Sequence, residues 1–347
     1  MRIRKIAALA LSLVLGCAGL SGCKKSEATT DDREIPVFTA ANETIEGRKN
    51  IYLVVKNVDS SYWQVIMDAV RDSGNDHDCN IFTSGTHSEA DWDIQEKLID
   101  DAVSSGADMI VFSPNDSVKL SRKVSEVYNS GIPIVLVDTV VNTEDYCICY
   151  MTDNLRAGQN AAHEMLERLR AAGVSEDEEA YIAVQVGSVY SQTISERLAG
   201  FCQYWTKNAP ENWKILDEVK NNEGSVDRAV TCAEEFLDTY SGIKGVFGSN
   251  NGSTVGFART IKARGRTDIA IVGFDYSSEM RDLISDENYN AATMLQKQYY
   301  MGYQAVETAL AIGNGEEMTV KFVDTGIAVV NKDTLNDPEV QEILSHN

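Results

Sequence analysis

Between residues 51 and 295 the chain alternates short apolar runs with longer amphipathic ones, and this alternation limits the fold more than any other feature. The apolar runs, such as MIVF at 109–112 and PIVLV at 133–137, carry no charged position. Strands of that kind need cover on both faces, which a sheet with one side in water does not give. The pattern predicts strands at 51–56, 79–83, 108–112, 133–137, 147–151, 180–186, 214–219, 244–248, 269–274 and 290–295. Helices are expected between them at 61–73, 89–105, 117–129, 155–171, 192–207, 226–239, 252–264, 278–285 and 299–312. Over 89–105, Trp92, Gln95, Leu98, Ile99, Ala102 and Val103 share one helical face, and Gly106 follows as a stop. Such alternation gives an α/β fold with doubly wound parallel sheets. Ten strands in two runs, with a break near 138–153, predict two sheets and two lobes.

The N-terminus addresses the compartment. Arg2, Arg4 and Lys5 precede an apolar run at 6–15, and Leu20, Ser21, Gly22 and Cys23 follow. A basic start, a short apolar run and L-S-G-C read as a secretory signal over 1–22. The last four residues resemble a bacterial lipobox, so Cys23 is expected to carry a lipid that anchors the chain to the outside of the cell membrane. No later run is long and apolar enough to span a bilayer. Residues 23–48, rich in Lys, Ser, Glu, Thr and Asp, are expected to form a flexible tether. The roughly 300 residues that follow exceed a usual single core, which again favours two lobes. The polar segment 332–347 is read as a short helix over 338–344 or a frayed tail.

The formal net charge of −22 argues against nucleic acid and other polyanions as partners. Cys79, Cys147, Cys149, Cys202 and Cys232 remain once Cys17 and Cys23 are set aside; the number is odd and no CxxC occurs. They are read as free thiols acting as small apolar groups, with Cys147 and Cys149 facing one side of a strand. No nucleophile elbow, phosphate loop, HExxH or dinucleotide fingerprint is present. His77, His87, His163 and His346 lack metal-ligand spacing, and the acidic run 176–179 lacks the alternation and turn glycine of a calcium loop. Neither metal, cofactor nor catalysis is expected.

Polar residues recur just past the carboxyl ends of the strands. The first strand leads into Asp59, Ser60 and Ser61, then Tyr62 and Trp63, two aromatics that serve either as a stacking platform or as packing. Ser113, Asn115 and Asp116, then Asp138 and Thr139, then Asp153 and Asn154 follow later strands of the first run. Asn250 and Asn251, Asp275 and Gln296 follow strands of the second. Asn115, Asp116, Asn154 and Asn251 are read as caps or turns. Strand ends of a parallel sheet converge on one crevice, so the set counts for more than its members. Carboxylates and an arginine to take hydroxyls, with aromatics to cover an apolar ring face, suit a sugar or related polyol.

The segments IYLVVKNVDSSYW, MIVFSPNDSV, GIPIVLVD, MTDNLRAG, SERLAGF, GVFGSNN, IVGFD and YNAATMLQ, in that order, resemble the periplasmic sugar-binding family over about residues 49–330. This is the ribose- and galactose-binding type of solute-binding protein that feeds ABC transporters. The resemblance implies a type I periplasmic binding protein fold with a three-crossover hinge near Asp153, Gln296 and 323–324. The N-terminal lobe is then 49–153 plus 297–323, and the C-terminal lobe 154–296 plus 324–331. It implies ligand contacts from Ser60, Tyr62, Trp63, Ser113, Asp138, Arg197, Asn250, Asp275 and Gln296. Ser60 stands where the family has Asn, Thr139 where it has Arg, and Val226 where it has a stacking aromatic. The implied partner of this monomeric clamp is an ABC transporter permease; the alternative is a membrane sensor kinase or chemoreceptor that reads the bound sugar or autoinducer-like polyol. A sugar-responsive repressor shares the fold, but the signal, the acidic charge and the lack of an N-terminal helix-turn-helix speak against it.

Overall fold

The computed structural model describes residues 33–346, so the signal segment, Cys23 and the first part of the expected tether lie outside the described residues. The first sheet holds β1 (Thr39–Ala40), β2 (Asn50–Val55), β3 (Asn80–Gly85), β4 (Met109–Phe112), β5 (Ile134–Val137), β6 (Ile148–Met151) and a late strand, β12 (Phe322–Asp324). The second holds β7 (Ala180–Val186), β8 (Trp213–Asn221), β9 (Ile243–Gly248), β10 (Ala270–Phe274), β11 (Asn290–Gln296) and β13 (Ile327–Val330). Their spatial orders are β1-β3-β2-β4-β5-β6-β12 and β13-β11-β10-β9-β7-β8. Without the added edge strands, both follow the doubly wound order 2-1-3-4-5. All pairings are parallel except the edges, where β1 runs against β3 and β13 against β11.

Helices cover both faces of each sheet, as the apolar strands require. In the first lobe α1 (Ser61–Asp76) and α9 (Gln298–Gly313) pack on one face with Ile51, Leu53 and Val55. The helices α2 (Trp92–Ser104) and α3 (Ser121–Asn129) cover the other, over Tyr52, Val54 and Ile110. In the second lobe α4 (Asn154–Ala171) and α5 (Gln192–Asn208) take one face, with Ile182, Val184 and Phe247 between them and the sheet. Opposite lie α6 (Val226–Thr239), α7 (Asn251–Arg264), α8 (Ser278–Ser285) and α10 (Pro338–Leu344). The chain passes between sheets after β6, after β11, and between β12 and β13. These segments bond to one another: Thr152 Oγ1 donates to Gln296 Oε1 at 3.0 Å, and the Asp153 N–H donates to Asp324 Oδ1 at 2.9 Å.

Several elements depart from the sequence reading. Residues 39–48 belong to the folded body, not to a tether. The β1 strand pairs with β3, and Asn42 bonds the backbone of Cys79 and Ile81 at 2.9 Å each. The polar composition of this stretch hides the pairing, because an edge strand needs few buried side chains. β12 and β13 are too short for their periodicity to be read. α3 starts at Ser121 rather than 117, since Asp116 Oδ1 accepts from the Val118 and Lys119 N–H groups and forms a separate turn. Of the two readings of the C-terminal segment, the short helix holds with its expected bounds: it is α10, held by the buried Val340. All five cysteines among the described residues are free thiols. Cys147 and Cys149 do not face one side: β6 begins only at Ile148, and Cys147 packs toward α1 and α9 while Cys149 packs toward α2 and α3.

Candidate functional site

Two carboxylates hold equivalent places in the two lobes. Asp138 follows β5 and Asp275 follows β10, each one residue past the strand. Both have left-handed backbones, with φ of 65° and 70°. Each donates its N–H to the next strand, Asp138 to the Tyr150 carbonyl at 2.8 Å and Asp275 to Met294 at 3.0 Å. This conformation costs a non-glycine residue about 1–2 kcal/mol, and Asp is among those that bear it best. Both side chains line one cavity between the lobes.

On the first lobe, Tyr62 Oη donates to Asp138 Oδ1 at 2.8 Å and Thr139 Oγ1 donates to Oδ2 at 2.6 Å. Lys56, the last apolar-run position before the loop, is 3% exposed. Its Nζ lies 3.0 Å from Asp138 Oδ2, 2.6 Å from Thr139 Oγ1 and, across the cleft, 3.2 Å from Ser191 Oγ. A cation therefore sits beside Asp138 although position 139 is threonine. Thr193, on α5, donates to the Asp138 carbonyl at 2.8 Å, so the lobes touch directly here.

On the second lobe, Arg197 is buried on α5. Nε donates to Asn154 Oδ1 at 2.8 Å, Nη1 to the Ser249 carbonyl at 2.9 Å and Nη2 to Gln296 Oε1 at 2.8 Å. Its guanidinium lies 3.9 Å from the Phe274 ring centre. Gln296 Nε2 donates to Asp275 Oδ1 at 2.8 Å, which ties the hinge to the carboxylate. Two glycines make this arrangement: a Cβ on Gly158 would fall 2.1 Å from the Arg197 carbonyl, and one on Gly200 2.0 Å from that of Leu155. α4 and α5 thus pack backbone to backbone, and Asn154 meets Arg197. Asn154 is a positioning residue as well as the first residue of its helix.

The predicted residues divide cleanly. Ser60, Tyr62, Trp63, Asp138, Arg197, Asn250, Asp275 and Gln296 line the cavity. Ser113 does not; it is wholly buried, with its carbonyl taken by Gln95 Nε2 at 2.8 Å. Val226 starts α6 and lines an outer groove instead. Ser60 precedes α1 but makes no side-chain cap; its hydroxyl donates to Asn251 Oδ1 across the cleft at 3.4 Å. Asn250 caps α7 through the Ser253 N–H at 3.2 Å while its Nδ2 reaches Glu89 Oε1 at 3.4 Å. Lys56, Glu89 and Thr193 were not anticipated. A lysine inside LVVKN was a usable signal; Glu89 and Thr193 carry none, since only folding brings them to the cleft. The space left among these side chains is ≈ 30 Å³, so the walls of the two lobes stand close together. This is a closed arrangement.

The charges are set by burial against neighbours. Burial pushes Asp138 up, but the Lys56 and Arg197 cations and the bonds from Thr139 and Tyr62 bring its carboxyl below the ordinary value. For Asp275 burial wins over Arg197 and Gln296, and its carboxyl is pushed up to about 6. Burial also raises Glu89, against Lys56, and holds the Tyr62 phenol well above its usual range. Between pH about 4 and 6 the folded chain keeps a proton on Asp275 that the unfolded chain has lost. Stability therefore falls as pH rises through that window, by about 3 kcal/mol in all. Asp275→Asn removes this cost. It should melt several degrees above the parent protein at pH 8 and level with it at pH 4; equal melting at pH 8 would contradict the assignment.

A family model described as periplasmic binding protein domain matches residues 51–317. The ribose import binding protein of Bacillus subtilis (strain 168) is 26% identical over 65% of this chain and 69% of its own length. A carbohydrate transporter solute-binding protein of Agrobacterium radiobacter, solved with D-arabinose, is 25% identical with a TM-score of 0.81, over 86% of this chain and 99% of that one. An ABC transporter solute-binding protein of Agrobacterium vitis, solved with D-fucose, is 26% identical with a TM-score of 0.78, over 84% and 98%.

Proposed function

The chain belongs to the periplasmic binding protein domain family, and on that premise we propose that it captures a monosaccharide or related polyol between its lobes and delivers it to an ABC transporter permease. One observation carries this reading: two carboxylates, a buried arginine, Asn250, Gln296 and Trp63 converge from both lobes on one cavity at the strand ends. Carboxylates and arginine pair with ring hydroxyls in a desolvated site, and an indole face covers the apolar side of a ring. Ser60, Tyr62, Trp63, Asp138, Arg197, Asn250, Asp275 and Gln296 form the contacts, joined by Lys56. A ring enters when the lobes part, and residues of both lobes hold it only when they close, so ligand favours the closed state. No catalytic step is assigned to the site.

The protein works outside the cytoplasm as a monomer. The L-S-G-C run supports a lipid on Cys23 as its anchor, and among the described residues no helix is long and apolar enough to cross a membrane. The rival reading keeps the same cleft but presents the closed form to a sensor kinase or chemoreceptor. Co-purification of the sugar-loaded protein with permease or kinase ectodomain separates the two.

The test of the ligand class is a thermal-shift screen against pentoses, hexoses and polyols. A ligand at a hundred times its Kd adds about 2.7 kcal/mol to the folded state, enough to move the melt visibly. At least one neutral sugar should do so. A panel that leaves the melt in place, while an amino acid or organic acid raises it, would remove the sugar reading.

A further inference from the structure

Glu89 stands where two spaces of the cleft meet. It comes from the loop between β3 and α2, and it lines both the inner cavity and an outer groove of ≈ 80 Å³. Among the described residues no other borders both. Its backbone N–H donates to the Glu223 carbonyl of the second lobe at 3.1 Å, and its Oε1 accepts from Asn250 Nδ2 at 3.4 Å. The second lobe leaves room for it with two glycines. A Cβ on Gly224 would fall 2.8 Å from Glu89 Cγ, and one on Gly187 would fall 2.2 Å from the Nδ2 of Asn250, the partner of Glu89, and 2.9 Å from Glu89 Oε2. The side chain is therefore fitted between the lobes and only 9% exposed.

Beyond it the groove offers aromatic surface from both lobes. Trp92 belongs to the first and Tyr190 to the second, and Lys119 Nζ lies 4.5 Å and 5.4 Å from their ring centres. The Ser117 N–H donates to the Tyr190 carbonyl at 3.2 Å, so the two walls meet when the lobes are shut. Aromatic faces of this kind take a second ring by stacking. A buried carboxylate is a costly choice for a mere filler between two such spaces.

We propose that Glu89 is a specificity-determining residue: its carboxylate walls the inner cavity off from the Trp92–Tyr190 groove and limits the ligand to a single sugar ring. This rests on the sugar-binding reading above. The wall acts by size, so its neutral isostere keeps the limit and a shortened side chain relaxes it.

The test uses whichever of D-ribose, D-arabinose or D-fucose binds the unaltered protein most tightly, together with its mono-O-benzyl derivatives at each hydroxyl. Calorimetry is run on the parent protein, Glu89→Ala, Glu89→Asp and Glu89→Gln. The parent should bind every benzyl derivative at least a hundredfold more weakly than the free sugar. In Glu89→Ala one derivative should come within tenfold, Glu89→Asp should fall between, and Glu89→Gln should discriminate like the parent. Glu89→Asp carries the test if the alanine variant does not fold. Unchanged ratios in the shortened variants, or Glu89→Gln admitting the derivative as alanine does, would overturn the wall. A parent protein that binds none of the free sugars by calorimetry would instead bring down the sugar reading and this proposal with it.

Discussion

Arg197→Ala should abolish tight sugar binding and lower the stability of the unliganded protein by about 3–5 kcal/mol. Arg197 is 2% exposed, and its guanidinium makes three hydrogen bonds and covers the Phe274 ring. Its removal leaves Asn154 Oδ1 and the Ser249 carbonyl without this donor in a buried place, and each stranded acceptor costs about 1–3 kcal/mol. Asp275 also loses a cation that holds its carboxyl down, so its proton is retained to higher pH. Arg197→Lys should recover little, because a point charge does not reproduce three donors aimed at three partners. Calorimetric titration and a urea melt read the two effects separately. A variant with parent-like binding and midpoint would mean that Arg197 is neither ligand contact nor keystone.

Asp138→Ala has the second largest expected effect. It leaves the Lys56 ammonium, 3.0 Å from the lost carboxylate and 3% exposed, as an uncompensated buried charge. Breaking such a pair by removing one partner destabilises by about 3–5 kcal/mol. Sugar binding should weaken by at least tenfold, about 1.4 kcal/mol, since the ligand loses an acceptor and the Tyr62 hydroxyl loses its partner. The double variant Lys56→Met with Asp138→Ala separates the two roles. It should regain most of the stability, because the stranded charge is gone, and none of the binding. Recovery of both would show that Asp138 serves only the fold, and recovery of neither would show that the Lys56–Asp138 pair is not the source of the loss.

Much of this was legible in the chain. Near-continuous apolar strands demand cover on both faces, so MIVF and PIVLV already require helices above and below a parallel sheet. Asp138 and Asp275 were legible because the strand ends of a parallel sheet converge on one crevice, where polar residues directly after buried strands gather. Lys56 was visible as a charge closing an apolar run, yet its meaning was not. Its value lies in meeting Thr139, Asp138 and Ser191, which are separated from it by 82 or more positions. Ser113 shows the converse: its place after β4 suggested the cleft, but the register leaves it in the layer behind.

The sequence by itself determined the two doubly wound lobes and the strand ends that carry polar groups, the chemistry from which the proposed hydroxyl-rich ligand class is drawn. These follow from periodicity and residue chemistry, which act over a few positions at a time. Only the tertiary structure decided which groups share one cavity, which way the buried carboxyls shift, and where the cavity ends. Those outcomes depend on contacts between lobes: Lys56 with Ser191, Ser60 with Asn251, Glu89 with Asn250 and two glycines. Electrostatic balance and shape at a closed interface are set by distance and burial, and neither is written in local pattern.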